Sequence, residues 1–326
     1  MQAVHPRTSV IIPVFNEEES LPTLYERLKG VLDKISGGHE MVFVDDGSQD
    51  GSFSTLREIS KEDPNVKVIR LRRNFGQTAA LVAGFDEARG DVIITIDADL
   101  QNDPSDIPHL LDKLDEGYDI VSGWRKNRKD PMISKALPSK LSNKMASWLT
   151  GVTLHDFGCT LKAYRKEVVK GIQLYGELHR YVPAVASAMG VRVAEIEVSH
   201  HPRPYGKSKY GITRLMRGML DLITLKLLLT YMSRPMQMFG GLGVLAMLGA
   251  GTSGLATVMM KLFMDFNMTG NPLLFLTILL FLASVQFISM GFLGEIAMRT
   301  YHETQNKPIY VVREVLESSR ERFSTN

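Results

Sequence analysis

Two short acidic motifs hold most of the chemistry that this sequence offers. Asp45-Asp46-Gly47-Ser48 is followed by Asp50-Gly51, and Asp97-Ala98-Asp99 is followed by Gln101; each motif leaves an apolar run. Carboxylates one residue apart at the end of a strand can hold a hard divalent cation through oxygen. A cation held there would bridge a diphosphate and offset charge on a departing nucleotide. Taken singly, either motif also fits a solvated turn, and Ser48 or Asp50 could simply cap a helix.

The surrounding elements give the motifs their context. The apolar runs 9–13, 41–45, 66–71, 92–97 and 120–122 predict strands. Helical patterns over 17–34, 51–62, 76–88 and 105–115 separate them. Such alternation predicts an α/β domain with a mainly parallel sheet covered on both faces. Sheets of this kind bind ligands beyond the carboxyl ends of their strands, which is where these acidic residues collect. No internal repeat is visible.

The chain has 326 residues, a length that suggests about two domains. At 44% hydrophobic and 23% charged residues it is neither a disordered nor a low-complexity chain. A formal net charge of +2 argues against bulk nucleic-acid binding, and no nucleic-acid partner is expected. One cysteine, Cys159, excludes an intrachain disulfide framework and reads as buried packing.

Charge is scarce in one stretch of the C-terminal third. Between Pro235 and Gly294 only Lys261 and Asp265 are charged. Each apolar run reaches the ~20 residues needed to cross ~30 Å of hydrocarbon, and 265–272 has the residues of a tight reversal. The expectation is a transmembrane helical hairpin rather than a buried helix pair. No signal peptide is read at the start, which runs into a strand pattern. Arg203, Lys207, Lys209, Arg214, Arg217, Lys226 and Arg234 precede the hairpin, so both termini are expected in the cytoplasm, at an inner (plasma) membrane. The segment 212–234 is Leu- and Met-rich with interspersed basic residues and reads as amphipathic interfacial helices. Residues 307–313 are expected to fold back along the soluble domain, with Glu314–Asn326 a charged helix or frayed end. Gly291-Phe-Leu-Gly294 permits close helix contact, and with it a homo-oligomer.

Taken in order, the motifs form a specific set. Val10-Ile-Ile-Pro-Val-Phe-Asn-Glu-Glu18, Val44-Asp-Asp-Gly-Ser-Gln-Asp-Gly-Ser52, Asn74-Phe-Gly-Gln77 and Ile96-Asp-Ala-Asp-Leu-Gln101 resemble family-two glycosyltransferases of GT-A fold. Ser122-Gly-Trp-Arg125, Asp156-Phe-Gly-Cys-Thr-Leu-Lys-Ala-Tyr-Arg165, Arg203-Pro-Tyr-Gly-Lys-Ser-Lys-Tyr210 and the hairpin resemble the polyprenyl-phosphate glycosyltransferases within them. That group includes dolichyl-phosphate mannose synthases and bacterial undecaprenyl-phosphate glucosyltransferases. The organisation implied is a GT-A domain over 1–211, interfacial helices over 212–234, transmembrane helices over 235–264 and 272–298, and a cytoplasmic tail over 299–326.

The resemblance also implies roles. Pro13, Phe15, Asn16 and Glu17 would surround the nucleoside, with Asp46 near the base and Asp45 near the ribose. Asp99 would be the principal ligand of Mg²⁺ or Mn²⁺, with Asp97 and Gln101 supporting the metal or the donor diphosphate; Gln101 could equally be a helix-start residue. Arg125, Lys140, Arg203, Ser208 and Lys209 would meet the lipid phosphate, where Arg offers a fork and Lys a point charge. Asp156 stands where the family places an acid often regarded as a base. A phosphomonoester with a second pKa near 6 needs little deprotonation at neutral pH. Asp156, named with Arg125 as catalytic, could finish deprotonating the nucleophile, orient it or hold a sugar hydroxyl, or it could simply cap a helix or pair with a basic neighbour.

The implied reaction is inverting transfer of a hexose, expected to be glucose from UDP-glucose, to undecaprenyl phosphate. Two other readings stay open: a GDP-mannose-dependent mannosyltransferase, and a non-catalytic membrane subunit that binds nucleotide-sugar or scaffolds a lipid-sugar flippase. The Gln-x-x-Arg-Trp signature of processive polysaccharide synthases is absent.

Overall fold

The computed structural model describes residues 6–126, 147, 151–172, 174, 178–187, 189–204, 235–264, 267, 270–304 and 309–317. The described residues form two units. One comprises those up to 204 together with 309–317, and the other those from 235 to 304.

The first unit is an α/β sheet domain. Its elements are β1 (Thr8–Val14), α1 (Leu21–Leu32), β2 (His39–Asp45), α2 (Ser52–Glu62), β3 (Val66–Leu71), α3 (Gln77–Glu87), β4 (Val92–Thr95), α4 (Ile107–Asp115) and β5 (Ile120–Trp124). Then come β6 (Lys162–Arg165), α5 (Lys166–Gly171), α6 (Val182–Ser187), β7 (Val193–Glu197) and, after the second unit, β8 (Val312–Leu316). Short 3₁₀ turns at Pro104–Asp106 and Leu178–Tyr181 complete it. The sheet order is β7-β5-β6-β4-β1-β2-β3-β8. Its centre, β3-β2-β1-β4, is parallel, whereas β6 and β8 run antiparallel to their neighbours.

Burial on both faces explains why the central strands read as continuous apolar runs. On one face Val10, Ile12 and Val14 of β1 join Leu21, Leu24, Leu28 and Leu32 of α1 in a fully buried cluster. Those leucines recur every three or four residues, and burying each stabilises the fold by roughly 1.5–3 kcal/mol. On the other face Ile11 meets α3 at Gly84, where an added Cβ would stand 2.2 Å from Ile11 Cγ2. Only glycine lets the helix lie so close to the sheet.

The strand expected to run to Asp97 ends at Thr95, although Ile96 N–H still bonds the Ile11 carbonyl at 3.2 Å, and the chain turns at 98–99. Glu314–Leu316, expected in a charged helix or frayed end, instead belongs to β8 on the edge of β3. Along β8 the half-buried positions 312, 314 and 316 alternate with exposed ones. Glu314 accepts a hydrogen bond from Arg70 Nη1 at 3.3 Å, and Leu316 packs against the core.

The second unit is a pair of long helices, α7 (Pro235–Met264) and α8 (Pro272–Thr304). At 1.5 Å per residue each exceeds the ~30 Å hydrocarbon thickness. Their most apolar windows, Phe239–Phe263 and Pro272–Gly294, are only 17% and 6% buried. A buried soluble pair would hide most of that surface. Instead, leucines and phenylalanines face outward along both helices, as a lipid solvent allows. Between the helices Gly243 approaches Ile288 and the Ser284 carbonyl, and Ser253 and Thr277 share a hydroxyl hydrogen bond of 2.8 Å. Close small-residue packing with polar bridges is how helices associate in lipid.

Candidate active site

The site is built on the carboxyl ends of β1, β2, β4 and β5. After β1 the chain turns at Asn16, whose φ of 55° is left-handed. Asn16 N–H donates to Ser48 Oγ (3.0 Å), and its Oδ1 accepts from Gln49 N–H (2.8 Å). Glu17 N–H donates to Ser52 Oγ at 2.9 Å, so the loops after β1 and β2 hold each other. Within the second loop Asp45 Oδ1 accepts from Ser48 N–H (3.0 Å), and Asp50 Oδ1 from Ser52 N–H (3.0 Å). Asp46 reaches across to accept from Phe75 and Gly76 N–H at 2.7 and 2.9 Å; burial pushes its carboxyl above the usual range. Gly47, at φ 70°, permits this crossing, since an added Cβ would lie 2.5 Å from the Arg73 carbonyl carbon.

Two buried polar atoms at this end lack hydrogen-bond partners among the described residues. They are Asp45 Oδ2, which has only Arg70 Nε at 3.5 Å, and Arg203 Nε. Arg203 also pairs through Nη2 with Glu17 Oε1.

The acidic pair follows β4. Asp97 is held on both oxygens, by Gln77 Nε2 at 2.7 Å and Thr160 Oγ1 at 2.6 Å. Asp99 Oδ1 accepts from Gln101 N–H at 3.1 Å. Leu100 between them has φ 61°, a conformation that costs a branched or bulky L-residue about 1–2 kcal/mol. That turn re-aims the chain so that Asp97, Asp99 and Gln101 all line one cavity of about 60 Å³, together with Arg125. Burial pushes both carboxyls up; Asp99 reaches about 7, with the Asp97 charge as a further cause. The 3₁₀ turn that follows is capped by Asp103, whose Oδ1 accepts from Ser105 N–H at 3.0 Å, so Gln101 does not cap it.

Two crowded carboxylates on one cavity could hold a hard divalent cation, whose charge would favour their ionised forms. Among the described residues no group of three His, Cys, Asp or Glu could hold a metal. The pair therefore suits an ion that takes its remaining ligands from diphosphate oxygens and water, as Mg²⁺ and its relatives do.

Arg125 and Asp156 form a two-pronged pair beside this cavity, with Nε to Oδ2 at 2.7 Å and Nη2 to Oδ1 at 3.0 Å. Of the alternatives open for Asp156, a pairing with a basic neighbour is therefore present. Gly158 N–H donates to the same carboxylate at 3.1 Å. Asp156 N–H is in turn held by Glu195 Oε1 of β7 at 3.0 Å. Beneath lies Lys162, fully enclosed, whose Nζ donates to the carbonyls of Phe157 and Cys159. Burial pulls its ammonium down to about 8. Cys159 is buried, as expected, with Asn102 Nδ2 donating to its sulfur at 3.7 Å.

The structure thus gathers Asp97, Asp99, Gln101, Arg125 and Asp156 around one cavity and its rim. It places Pro13, Phe15, Asn16, Glu17, Asp45 and Asp46 on the adjoining strand ends, with Arg203 paired to Glu17 there. Lys140, Ser208 and Lys209, and the segment 212–234, lie outside the described residues. Gln77, Thr160, Lys162, His179, Arg180 and Glu195 were given no role by the sequence reading. Gln77, Thr160 and Lys162 do lie in motifs quoted above, which was the one available signal.

Comparison with known proteins identifies the family. The glycosyl transferase family 2 profile matches residues 9–172. A dodecaprenyl-phosphate galacturonate synthase of Rhizobium johnstonii is 40% identical over 322 residues, covering 95% of this chain and 93% of that protein. An undecaprenyl-phosphate 4-deoxy-4-formamido-L-arabinose transferase of Aeromonas hydrophila is 37% identical, covering 95% and 94%. The fold is also that of Mycobacterium tuberculosis glucosyl-3-phosphoglycerate synthase, solved with Mn²⁺, UDP-glucose and phosphoglyceric acid. There the TM-score is 0.52 at 18% identity, over 69% of this chain and 79% of that one.

Proposed function

The chain belongs to glycosyl transferase family 2, and from that premise we propose that it transfers a hexose, with inversion, from a UDP-hexose to polyprenyl phosphate at the cytoplasmic membrane face. The observation that carries this reading is that Asp97, Asp99 and Arg125 line a single cavity where the parallel strands end. An acidic pair for a cation-bridged donor and a guanidinium for an anionic acceptor thereby meet at one place. The relatives' names set substituted sugars, a hexuronate and a formamido-pentose, beside the glucose expected from sequence.

Each residue has a task in this reading. Asp45, with its unpartnered Oδ2, accepts from a ribose hydroxyl, while Asp46 fixes the 74–76 turn that walls the nucleoside site. Asp99, Asp97 and Gln101 would hold Mg²⁺ or Mn²⁺, which when bound would supply positive charge to offset that of the leaving UDP. Arg125 meets the acceptor phosphate, and Asp156 aims Arg125. The nucleophile is largely dianionic already, so positioning and charge stabilisation provide most of the rate. Arg203, half-buried with its Nε enclosed and lacking a partner among the described residues, is a second cation for phosphate; Lys140, Ser208 and Lys209 complete the acceptor site.

The membrane assignment has its own support. The chain before the hairpin and β8 after it belong to one sheet, so both ends of the hairpin return to a single folded body. An even number of spans follows, with both termini on the Lys- and Arg-rich cytoplasmic side.

The full chain in nanodiscs should be given undecaprenyl phosphate, Mg²⁺ or Mn²⁺, and a panel of radiolabelled UDP-sugars and GDP-mannose. A lipid-extractable labelled product from one or more UDP-sugars is expected. Product from GDP-mannose alone would move the donor to that nucleotide. No product from any donor, with UDP still bound, would leave a nucleotide-sugar-binding subunit.

A further inference from the structure

We infer that Glu314 is a positioning residue of the nucleotide site: it holds the Arg70 guanidinium off Asp45 and so keeps Asp45 Oδ2 open to a hydroxyl of the donor's ribose. The inference rests on the reading of Asp45 as a ribose contact, and it adds to that contact a residue from the far end of the chain.

Register brings the three together. Arg70 pairs with Asp45 across the parallel ladder of β2 and β3, and with Glu314 across the antiparallel ladder of β3 and β8. Residues directly opposite one another in a ladder stand on the same face of the sheet. A cation therefore lies between two carboxylates in one row. Asp45 is fully buried, whereas Arg70 and Glu314 are half-buried.

The two carboxylates share the guanidinium unequally. Arg70 Nη1 donates to Glu314 Oε1 at 3.3 Å. Arg70 Nε stands 3.5 Å from Asp45 Oδ2, and no hydrogen bond joins them. The Arg70 guanidinium lies over the Phe53 ring, with Cζ 4.0 Å from the centroid. Attraction to a ring face has little lateral direction, so Glu314 sets how far the group stands from Asp45. Arg57 supports Glu314, with Nη2 3.6 Å from Oε2 and its own Cζ 4.8 Å from the same ring centroid. A buried acceptor left without a donor is costly, which draws the nearest cation towards it. Closing to a charge-assisted bond of about 2.7–2.9 Å needs a shift of less than about 1 Å. Without Glu314, Arg70 would close on Asp45 Oδ2 and occupy the lone pairs that a ribose hydroxyl needs. With Glu314 in place, Asp45 is anchored through Oδ1, which accepts from Ser48 N–H at 3.0 Å, and Oδ2 stays open.

Calorimetric titration of the full chain in detergent with Mn²⁺ tests this, using UDP and a UDP analogue whose ribose lacks both hydroxyls. The natural chain should prefer UDP by about 10-fold or more. Glu314→Gln should cut that preference by about 3-fold, and Glu314→Ala should bring it close to nothing, in both cases by weakening UDP alone. On an Arg70→Met background Glu314→Ala should change the preference no further, since no guanidinium is left to close on Asp45. Leu316→Ala, which removes a core contact of β8 outside the row, should lower the unfolding midpoint and leave the preference intact. A full preference for UDP in either Glu314 variant overturns the inference while the ribose reading of Asp45 stands. A loss of preference in Leu316→Ala as large as in Glu314→Ala also overturns it, by reducing Glu314 to a fastening of the strand. No preference in the natural chain removes the ribose contact itself, and the inference with it.

Discussion

Arg125 and Asp156, thirty-one positions apart in sequence, meet side-on through two hydrogen bonds of 2.7 and 3.0 Å, with side chains only 13% and 4% exposed. A carboxylate so engaged orients its partner better than it collects a proton. Asp156→Asn should therefore lower kcat by about 100-fold while leaving the acid limb of the pH–rate profile in place. Loss of that limb in the variant would restore the base role. Removing one charge of a buried pair is also destabilising, by up to about 3–5 kcal/mol, so thermal unfolding of the variant should be measured alongside.

Asp99→Ala removes one of the two carboxylates proposed to hold the cation. Transfer should fall by at least about 1,000-fold, and Mn²⁺ binding in the presence of UDP, followed by electron paramagnetic resonance, should disappear. Metal-dependent turnover surviving in this variant would remove the acidic pair from the mechanism.

His179 gives a pH signature. Burial, with the Arg180 and Lys162 charges as lesser causes, pulls its pKa down to about 3. The unfolded chain takes up this proton near pH 6.5, so between pH 6.5 and about 3 it binds more protons than the folded one. Stability contributed by neutral His179 is complete above pH 6.5 and is lost as pH falls through that window. Denaturant unfolding of His179→Gln should show a shallower decline between pH 6.5 and 4 than the natural chain.

Two glycines should respond in opposite ways. Gly47→Ala places a Cβ against the Arg73 backbone at a left-handed φ and should cost at least about 2 kcal/mol, with weakened UDP binding. Gly30→Ala, in α1 with nothing within 4 Å of the added carbon, should stabilise by about 0.5–1 kcal/mol. Unfolding midpoints and UDP titrations of the two variants check both.

Legibility from sequence followed burial. The strands β1 to β4 are covered on both faces and announced themselves as apolar runs. β6 and β7 are short and carry charged residues, Lys162 and Arg165 in one and Glu195 and Glu197 in the other, so they passed for connections. β8 looked like tail because its pairing partner lies far back in the chain. The acidic pair was visible because only Ala98 separates its two members. Arg125 and Asp156 were each visible, but their pairing was not, since no local pattern joins residues on different loops. Lys162 belongs to the same class: its downward-shifted ammonium comes from what the fold stacks around it.

The edge position of β8 has a consequence for biogenesis. Arg70 waits for Glu314, 244 residues downstream, and at 5–20 residues per second a ribosome needs roughly 12–50 s to supply it. Throughout that interval the newborn sheet presents an unzipped border to solvent, a standing invitation to aggregate. The border is sealed only after both long apolar helices have been synthesised, so completion of the sheet waits for the whole hairpin.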